Sequence, residues 1–191
     1  MFAQENLILF LQSTGLISAQ QAPEIAAYFA PKTLKKHAFL LREGQVCDEY
    51  LLLDSGLVRA FASDPDGHDV TTGLYTGGQL VFEVASFFNR VPSQENIQAL
   101  TATTGWSITY QQLNELFHTR PEFREFGRSV LVKGLATLKS RMLAMITATA
   151  AERYVQLLHA QPQLVQQVPL KYLASYLGVT DTSLSRIRAG R

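Results

Sequence analysis

The hydrophobic period of the chain changes twice, and the changes divide it into three. Over the first thirty residues apolar positions recur at helical spacing. Residues 2–11 are apolar on one face, and Ser18 is placed to cap a second helical stretch that Pro31 ends. From about residue 34 to about residue 110 the texture is different. Short apolar runs alternate with turn residues: Leu51-Leu52-Leu53 precedes Asp54-Ser55-Gly56, and an alternating run over 57–62 precedes Asp64-Pro65-Asp66-Gly67. A further run over 70–75 leads to Gly77-Gly78 and then Leu80-Val81, and 97–100 and 106–110 read as closing strands. Runs of this length with Gly, Asp and Pro between them predict an antiparallel roll or barrel. After Pro121 the helical period returns.

In that last third, Leu131, Leu135, Leu138, Met142 and Met145 follow one another at spacings of 4, 3, 4 and 3, an a/d seam over two heptads. Arg128, Lys133, Lys139 and Arg141 lie off its axis. The seam fits two copies pairing; the alternative is one helix lying on its own roll. Residues 147–149 are expected to loosen the helix, 150–160 to resume it and Pro162 to end it.

The sharpest pattern is at the end. Leu170, Leu173, Ala174 and Leu177 share one face of a predicted helix, and Gly178 follows where a tight turn needs positive φ. Val179 fills the angle, Thr180 caps a second helix, and Asp181 stands in its first turn, where the dipole favours an acid. Leu184 and Ile187 then face inward, leaving Thr182, Ser183, Ser185, Arg186 and Arg188 outward. Two helices crossing steeply need a small residue at closest approach, here Ala174, and apolar plugs around it. Hydroxyls and an Arg on the free face suit base edges in a major groove, with Arg186 as the reader of guanine. Thr180, Thr182, Ser183, Ser185 and Arg186, with Lys171 and Arg188 toward phosphate, form the candidate DNA-binding set. An ordinary helical hairpin with Gly at its turn is the plain alternative.

Composition adds limits. The 191 residues are 47% hydrophobic and 17% charged, as in an ordinary globular chain long enough to bury a core. The net charge of +1 is uninformative, but its distribution is not. From residue 151 onward five basic residues face two acids, whereas the first 150 carry 12 basic and 14 acidic residues. A weakly acidic body with a basic tail suits a sensor joined to a reader of a polyanion. Cys47 is alone, so neither a disulfide framework nor a zinc cluster is expected, and a reducing cytoplasmic setting fits. No leader or membrane span is legible: the apolar run over 7–11 is too short and no basic stretch precedes it. No nucleophile–base pair, metal cluster or phosphate loop is visible, so an enzyme is not expected. His37, His68, His118 and His159 are scattered without a supporting motif for haem.

The ending LASYLGVTDTSLSRIR resembles the helix-turn-helix of the Crp/Fnr (catabolite-activator/fumarate-nitrate-regulator) family, and the order of roll, long helix and terminal helices extends the resemblance over most of the chain. The resemblance implies an α+β fold. It comprises a cyclic-nucleotide-binding-like sensor roll (1–118), a dimerisation helix (119–148) and a winged-helix-like DNA-binding domain (149–191). It implies a homodimer on a near-palindromic double-stranded operator, with RNA polymerase as a further partner. The stop at Arg191 leads to the expectation of a truncated wing, its phosphate contacts supplied from elsewhere, for example Arg153 or Lys171.

In the family's ligand cassette a Gly-rich turn leads to a ribose-binding Glu, and about ten residues later an Arg pairs with the cyclic phosphate. Gly78-Gln79-Leu80-Val81-Phe82-Glu83 puts Glu83 at the first position, with Phe82 where a Gly is usual, and Ser93 stands at the Arg position. A buried phosphate without its guanidinium loses its main charge-assisted contact. Cyclic AMP is therefore expected to bind weakly or not at all, unless Arg90 reaches inward. No cofactor is expected beyond a small-molecule effector. The candidate ligand-facing residues are Gly78, Gln79, Leu80, Glu83, Arg90, Ser93, Gln94 and Asn96; a plain capping role for Glu83 and a vestigial roll stay open. Two functions compete: a dimeric DNA-binding regulator, and a small-molecule sensor whose terminal helices dock a protein.

Overall fold

A computed structural model of the chain describes residues 4–190. Two short helices, α1 (Glu5–Gln12) and α2 (Gln21–Ala26), lead into eight strands: β1 (Ala30–Leu34), β2 (Phe39–Leu41), β3 (Glu49–Ser55), β4 (Val58–Ser63), β5 (Asp69–Tyr75), β6 (Leu80–Val81), β7 (Asn96–Ala99) and β8 (Thr103–Thr109). A helix α3 (Val84–Asn89) interrupts the roll between β6 and β7. Then come α4 (Tyr110–Thr119), α5 (Pro121–Thr147), α6 (Ala150–Ala160), α7 (Pro162–Gln167), α8 (Leu170–Leu177) and α9 (Asp181–Arg188).

The strands form two antiparallel four-stranded sheets, in orders β1-β8-β3-β6 and β2-β7-β4-β5. The antiparallel roll expected from the alternating runs is thus present, followed by the long helix and the terminal helices. One core lies between the sheets and extends under α1, α2, α4 and the start of α5, through residues such as Leu7, Leu51, Leu53, Ile97, Ile108, Leu113 and Phe126.

Three local readings are corrected. The second helix ends at Ala26, not Ala30, and Pro31 lies inside β1 opposite Trp106. Strand β1 is at a sheet edge, where an absent N–H costs no ladder bond. Helix α3 was not legible because its Phe87 and Phe88 extend an apolar run that begins in β6. The last strand stops at Thr109, whose hydroxyl caps α4 in a reciprocal capping box with Gln112, so Tyr110 is helical. The second residue of the sequence, counted in the first helical face, lies outside the described residues.

Helix α5 runs 27 residues, about 40 Å at 1.5 Å per residue. Only its first two turns are buried, by Phe123, Phe126 and Gly127, and a Cβ on Gly127 would fall 2.6 Å from the Phe117 ring. The break after Thr147 falls where expected. Ala148 is extended, and Thr149 restarts the chain as α6 in a capping box with Glu152. Pro162 ends α6 and opens α7 at its first position, where a missing N–H is harmless.

Candidate effector pocket and nucleic-acid interface

The roll's candidate cassette is built around α3. Glu83 is extended just before the helix, and its carboxylate accepts from the amides of Ala85 (3.0 Å) and Ser86 (2.6 Å). Two amides that α3 cannot satisfy internally are thereby paired. The capping role takes up both carboxylate oxygens. Arg90 closes the same helix in a left-handed conformation at φ 58°, and its guanidinium turns outward to Asp48 Oδ1 (2.6 Å) and the Cys47 carbonyl (2.9 Å). It also lies 4.1 Å over the Tyr110 ring.

Most of the other cassette residues are likewise engaged by the chain itself. Ser93 is buried, and its hydroxyl donates to the Glu95 carbonyl (2.8 Å) while accepting from the Glu95 amide (3.0 Å). The Asn96 carboxamide oxygen accepts from the Glu43 amide (3.1 Å), and that of Gln79 from the Thr76 amide (2.7 Å). Gly78 turns the chain at φ 82°, Leu80 pairs with Leu52 in the sheet, and Gln94 faces solvent.

Between these residues and α5 the interior is polar. Burial holds the Glu95 carboxyl above its usual range; the Thr72 hydroxyl and Arg141 pull the other way, and the Glu83 charge adds to the rise. Desolvation pushes the Tyr75 phenol up to about 12. Burial likewise raises the Cys47 thiol, which is free and buried beside Ser86 and Glu49.

The terminal helices carry a second core. Leu164, Val165, Val168, Leu173, Ala174, Leu177 and Leu184 cluster with Leu57, Leu74 and Leu100 of the roll, with Val179 at the margin. Gly178 has φ 69°, and the amide of Val179 reaches back to the Ala174 carbonyl (3.0 Å), a Schellman closure of α8. A Cβ on Gly178 would also meet Met145 Cε at 2.8 Å. The last carbonyls of α8 are taken by guanidinium groups: Tyr176 by Arg141 (3.2 Å) and Leu177 by Arg153 (2.9 and 3.2 Å). Cations at a helix C-terminus also complement its dipole.

Thr180 caps α9 by accepting from the Ser183 amide (3.2 Å), with Asp181 in the first turn. Leu184 is buried and Ile187 half-buried, while Thr182, Ser185 and Arg186 are exposed, as is Lys171 on α8. Two residues sit differently from the expectation. Ser183 is half-buried and its hydroxyl is shared with Thr180 Oγ1 (2.9 Å). Arg188 folds back to the Val165 carbonyl (3.1 Å) near the Tyr154 ring. Arg153, named as a substitute phosphate contact, is spent on Leu177 and Ala148.

Along α5 the seam residues Leu131, Leu135, Leu138, Met142 and Met145 are all exposed, Leu135 at 68% and Leu138 at 61%. These five side chains are not buried against the roll. Val132 (57%) and Ile146 (73%) widen the apolar strip. The sequence reading omitted them, although they stand fourteen residues apart beside the seam with Lys139 midway. It also omitted Arg59, Tyr172, Ser175 and Tyr176, which join α8 to the roll. Arg59 had one signal: a charge inside a strand whose neighbours on both faces are apolar.

No helix among the described residues is long and apolar enough to cross a membrane. Comparison with known proteins gives three concordant results. Residues 31–120 match the cyclic nucleotide-binding domain family model. The transcriptional activator protein Anr of Pseudomonas protegens is 25% identical over 167 residues, covering 82% of this chain and 68% of that protein. Among solved structures, the c-di-GMP responsive global regulator CLP of Xanthomonas campestris superposes with a TM-score of 0.70 at 18% identity, over 91% of each chain. FixK2 of Bradyrhizobium japonicum gives 0.75 at 15% identity, over 85% of this chain and 83% of that one. Anr is named a transcriptional activator and CLP a global regulator. The roll is thus matched by the cyclic nucleotide-binding domain model, and in its order of roll, long helix and terminal helices the chain shares the fold of these proteins and is similar to the Crp/Fnr family of transcription regulators.

Proposed function

We propose that the chain acts as a homodimer that reads a near-palindromic double-stranded DNA site through α9. The observation that carries this reading is the state of the α9 outer face. Its core side is buried through Leu184 and its first turn is capped by Thr180, yet Thr182, Ser185 and Arg186 are left to solvent. A rigid helix presenting hydroxyls and one long bidentate donor matches major-groove chemistry, with Arg186 directed at guanine. Lys171 supplies a phosphate contact, and Arg188 does so only by leaving Val165.

Pairing is assigned to α5. Five exposed apolar residues at heptad spacing, widened by Val132 and Ile146, form a patch of the kind that marks an interface. We assign 1–118 to the sensor, 119–148 to dimerisation and 149–191 to DNA binding. The roll is proposed to work without cyclic AMP, because Glu83, Ser93 and Arg90 are each satisfied within the chain. RNA polymerase is proposed as a partner because the similar Anr protein is named a transcriptional activator.

A gel-mobility shift with the promoter of the chain's own gene tests the reading, run beside an unrelated duplex of equal length. A retarded band that survives excess unrelated DNA is expected. Retardation of neither duplex favours terminal helices that dock a protein.

A further inference from the structure

Helix α8 lies along β5, one of the two edge strands of its sheet. An edge strand exposes unpaired backbone groups, and here α8 and α5 take two of them. The Thr71 amide donates to Ser175 Oγ on α8 (2.8 Å), and Arg141 on α5 donates to the adjacent Thr72 carbonyl. The same Arg141 donates to the Tyr176 carbonyl and lies 3.9 Å from the Tyr176 ring centre. Seam helix, roll and α8 therefore meet at one guanidinium.

Beside this junction is Arg59 of β4, only 2% exposed. Its guanidinium lies between the rings of Phe61 and Tyr172, 4.2 Å from each, so that one face rests on the roll and the other on α8. Nε donates to Thr71 Oγ1 (2.9 Å) and Nη1 to Asp69 Oδ2 (3.1 Å), while Nη2 has no hydrogen-bond partner. Burying a cation costs free energy that an apolar side chain would not incur at this spot. What the planar cation adds is orientation: it stacks in one plane and forks to fixed acceptors. The clamp covers α8 but leaves the outer face of α9 in water.

We propose that Arg59, gripping Tyr172 while Ser175 ties α8 to the β5 edge, is a positioning residue for DNA reading. It fixes α8, and through the Gly178 turn α9, to the roll and to α5. In a dimer built on α5 the roll then sets the angle and separation of the two α9 helices, and with them the half-site spacing accepted. This rests on α9 being the DNA reader.

The test uses the full chain with Arg59→Lys, Arg59→Gln and, because a buried position can fail on folding, the milder Ser175→Ala and Tyr172→Leu. Two readouts are taken: amide exchange over β5 and α8, and selection from a random DNA library scored for both half-site sequence and spacing. Exchange at Thr71 and along α8 should rise about tenfold or more in the Arg59 variants and less in Ser175→Ala. The selected half-site sequence should stay as in the wild type while the spacing distribution broadens. General loss of stability would weaken binding without broadening spacing. Unchanged exchange with a single spacing overturns the clamp, and tighter DNA binding in the variants overturns positioning in favour of a contact that restrains the reader. If the wild type itself selects no motif, the DNA reading falls and the proposal with it. In that case the exchange data still report whether the contact exists, so the two failures are distinguishable.

Discussion

The sensor cassette and the α9 outer face are both rich in polar side chains, but they dispose of them in opposite ways. In the roll Glu83 caps α3, Ser93 closes its own turn, Asn96 and Gln79 bond loop amides, and Arg90 pairs with Asp48. On α9, Thr182, Ser185 and Arg186 face water beyond a buried Leu184. A polar group already paired in the chain offers a ligand little, since each new bond must replace an old one. Groups held out on a rigid, capped helix lose little on binding. The difference indicates where an external partner gains most.

The comparison can be broken most forcefully at the seam on which the proposed pairing depends. Leu138→Asp would bury an unpaired carboxylate from each of two copies of α5, a change worth about 3–5 kcal/mol for even one of them, or roughly two to three and a half orders of magnitude in dimer affinity. Sedimentation should show a monomer at micromolar concentration where the wild type is expected to be a dimer. An unaffected dimer would remove α5 from the interface.

A smaller effect is expected at Gly178. A side chain there must adopt φ 69° and displace Met145, so Gly178→Ala should destabilise the chain by about 1–2 kcal/mol in a denaturant titration. Its effect on DNA binding should exceed that of an equally destabilising change in the roll, because the angle between α8 and α9 moves.

Within the cassette, Glu83→Ala removes a helix cap and should cost about 0.5–2 kcal/mol of stability. Calorimetry with cyclic AMP should give the same flat trace for wild type and variant. Sub-micromolar binding by the wild type, lost in Glu83→Ala, would show that the cassette opens to a nucleotide.

The smallest effect concerns Glu95. Its folded pKa is raised chiefly by burial, so its contribution to stability is present below the unfolded pKa and is lost as pH rises through the folded value. Glu95→Gln should therefore raise the melting temperature at neutral pH, with the gain fading toward the ordinary carboxylate pKa of about 4.3. A gain that is constant with pH would mean that ionisation of Glu95 is not its cause.

Legibility followed the range of the interactions. Gly178, Thr180 and the apolar spacing around them act within a few residues, so α8, the turn and α9 were readable in order and extent. The roll was readable because its strands alternate and its turns carry Gly, Asp and Pro. Helix α3 escaped because its aromatic residues continue a strand-like apolar run. The inward or outward course of Arg90 depends on a positive φ that a non-glycine residue does not announce. The folded-back Arg188 and the Arg59–Tyr172 stack join residues far apart in the chain, and only the tertiary arrangement brings them together.

The central claim is that Arg186 on α9 reads a base. Its most direct test is selection from a random duplex library by the wild type and by Arg186→Ala, each scored for information at every position. The account predicts a two-fold-related motif for the wild type, with half-site centres about 34–36 Å apart. Arg186→Ala should lose preference at one base pair per half-site, a discrimination of about 1–3 kcal/mol, and keep the rest. Identical enriched motifs from the two proteins would contradict it.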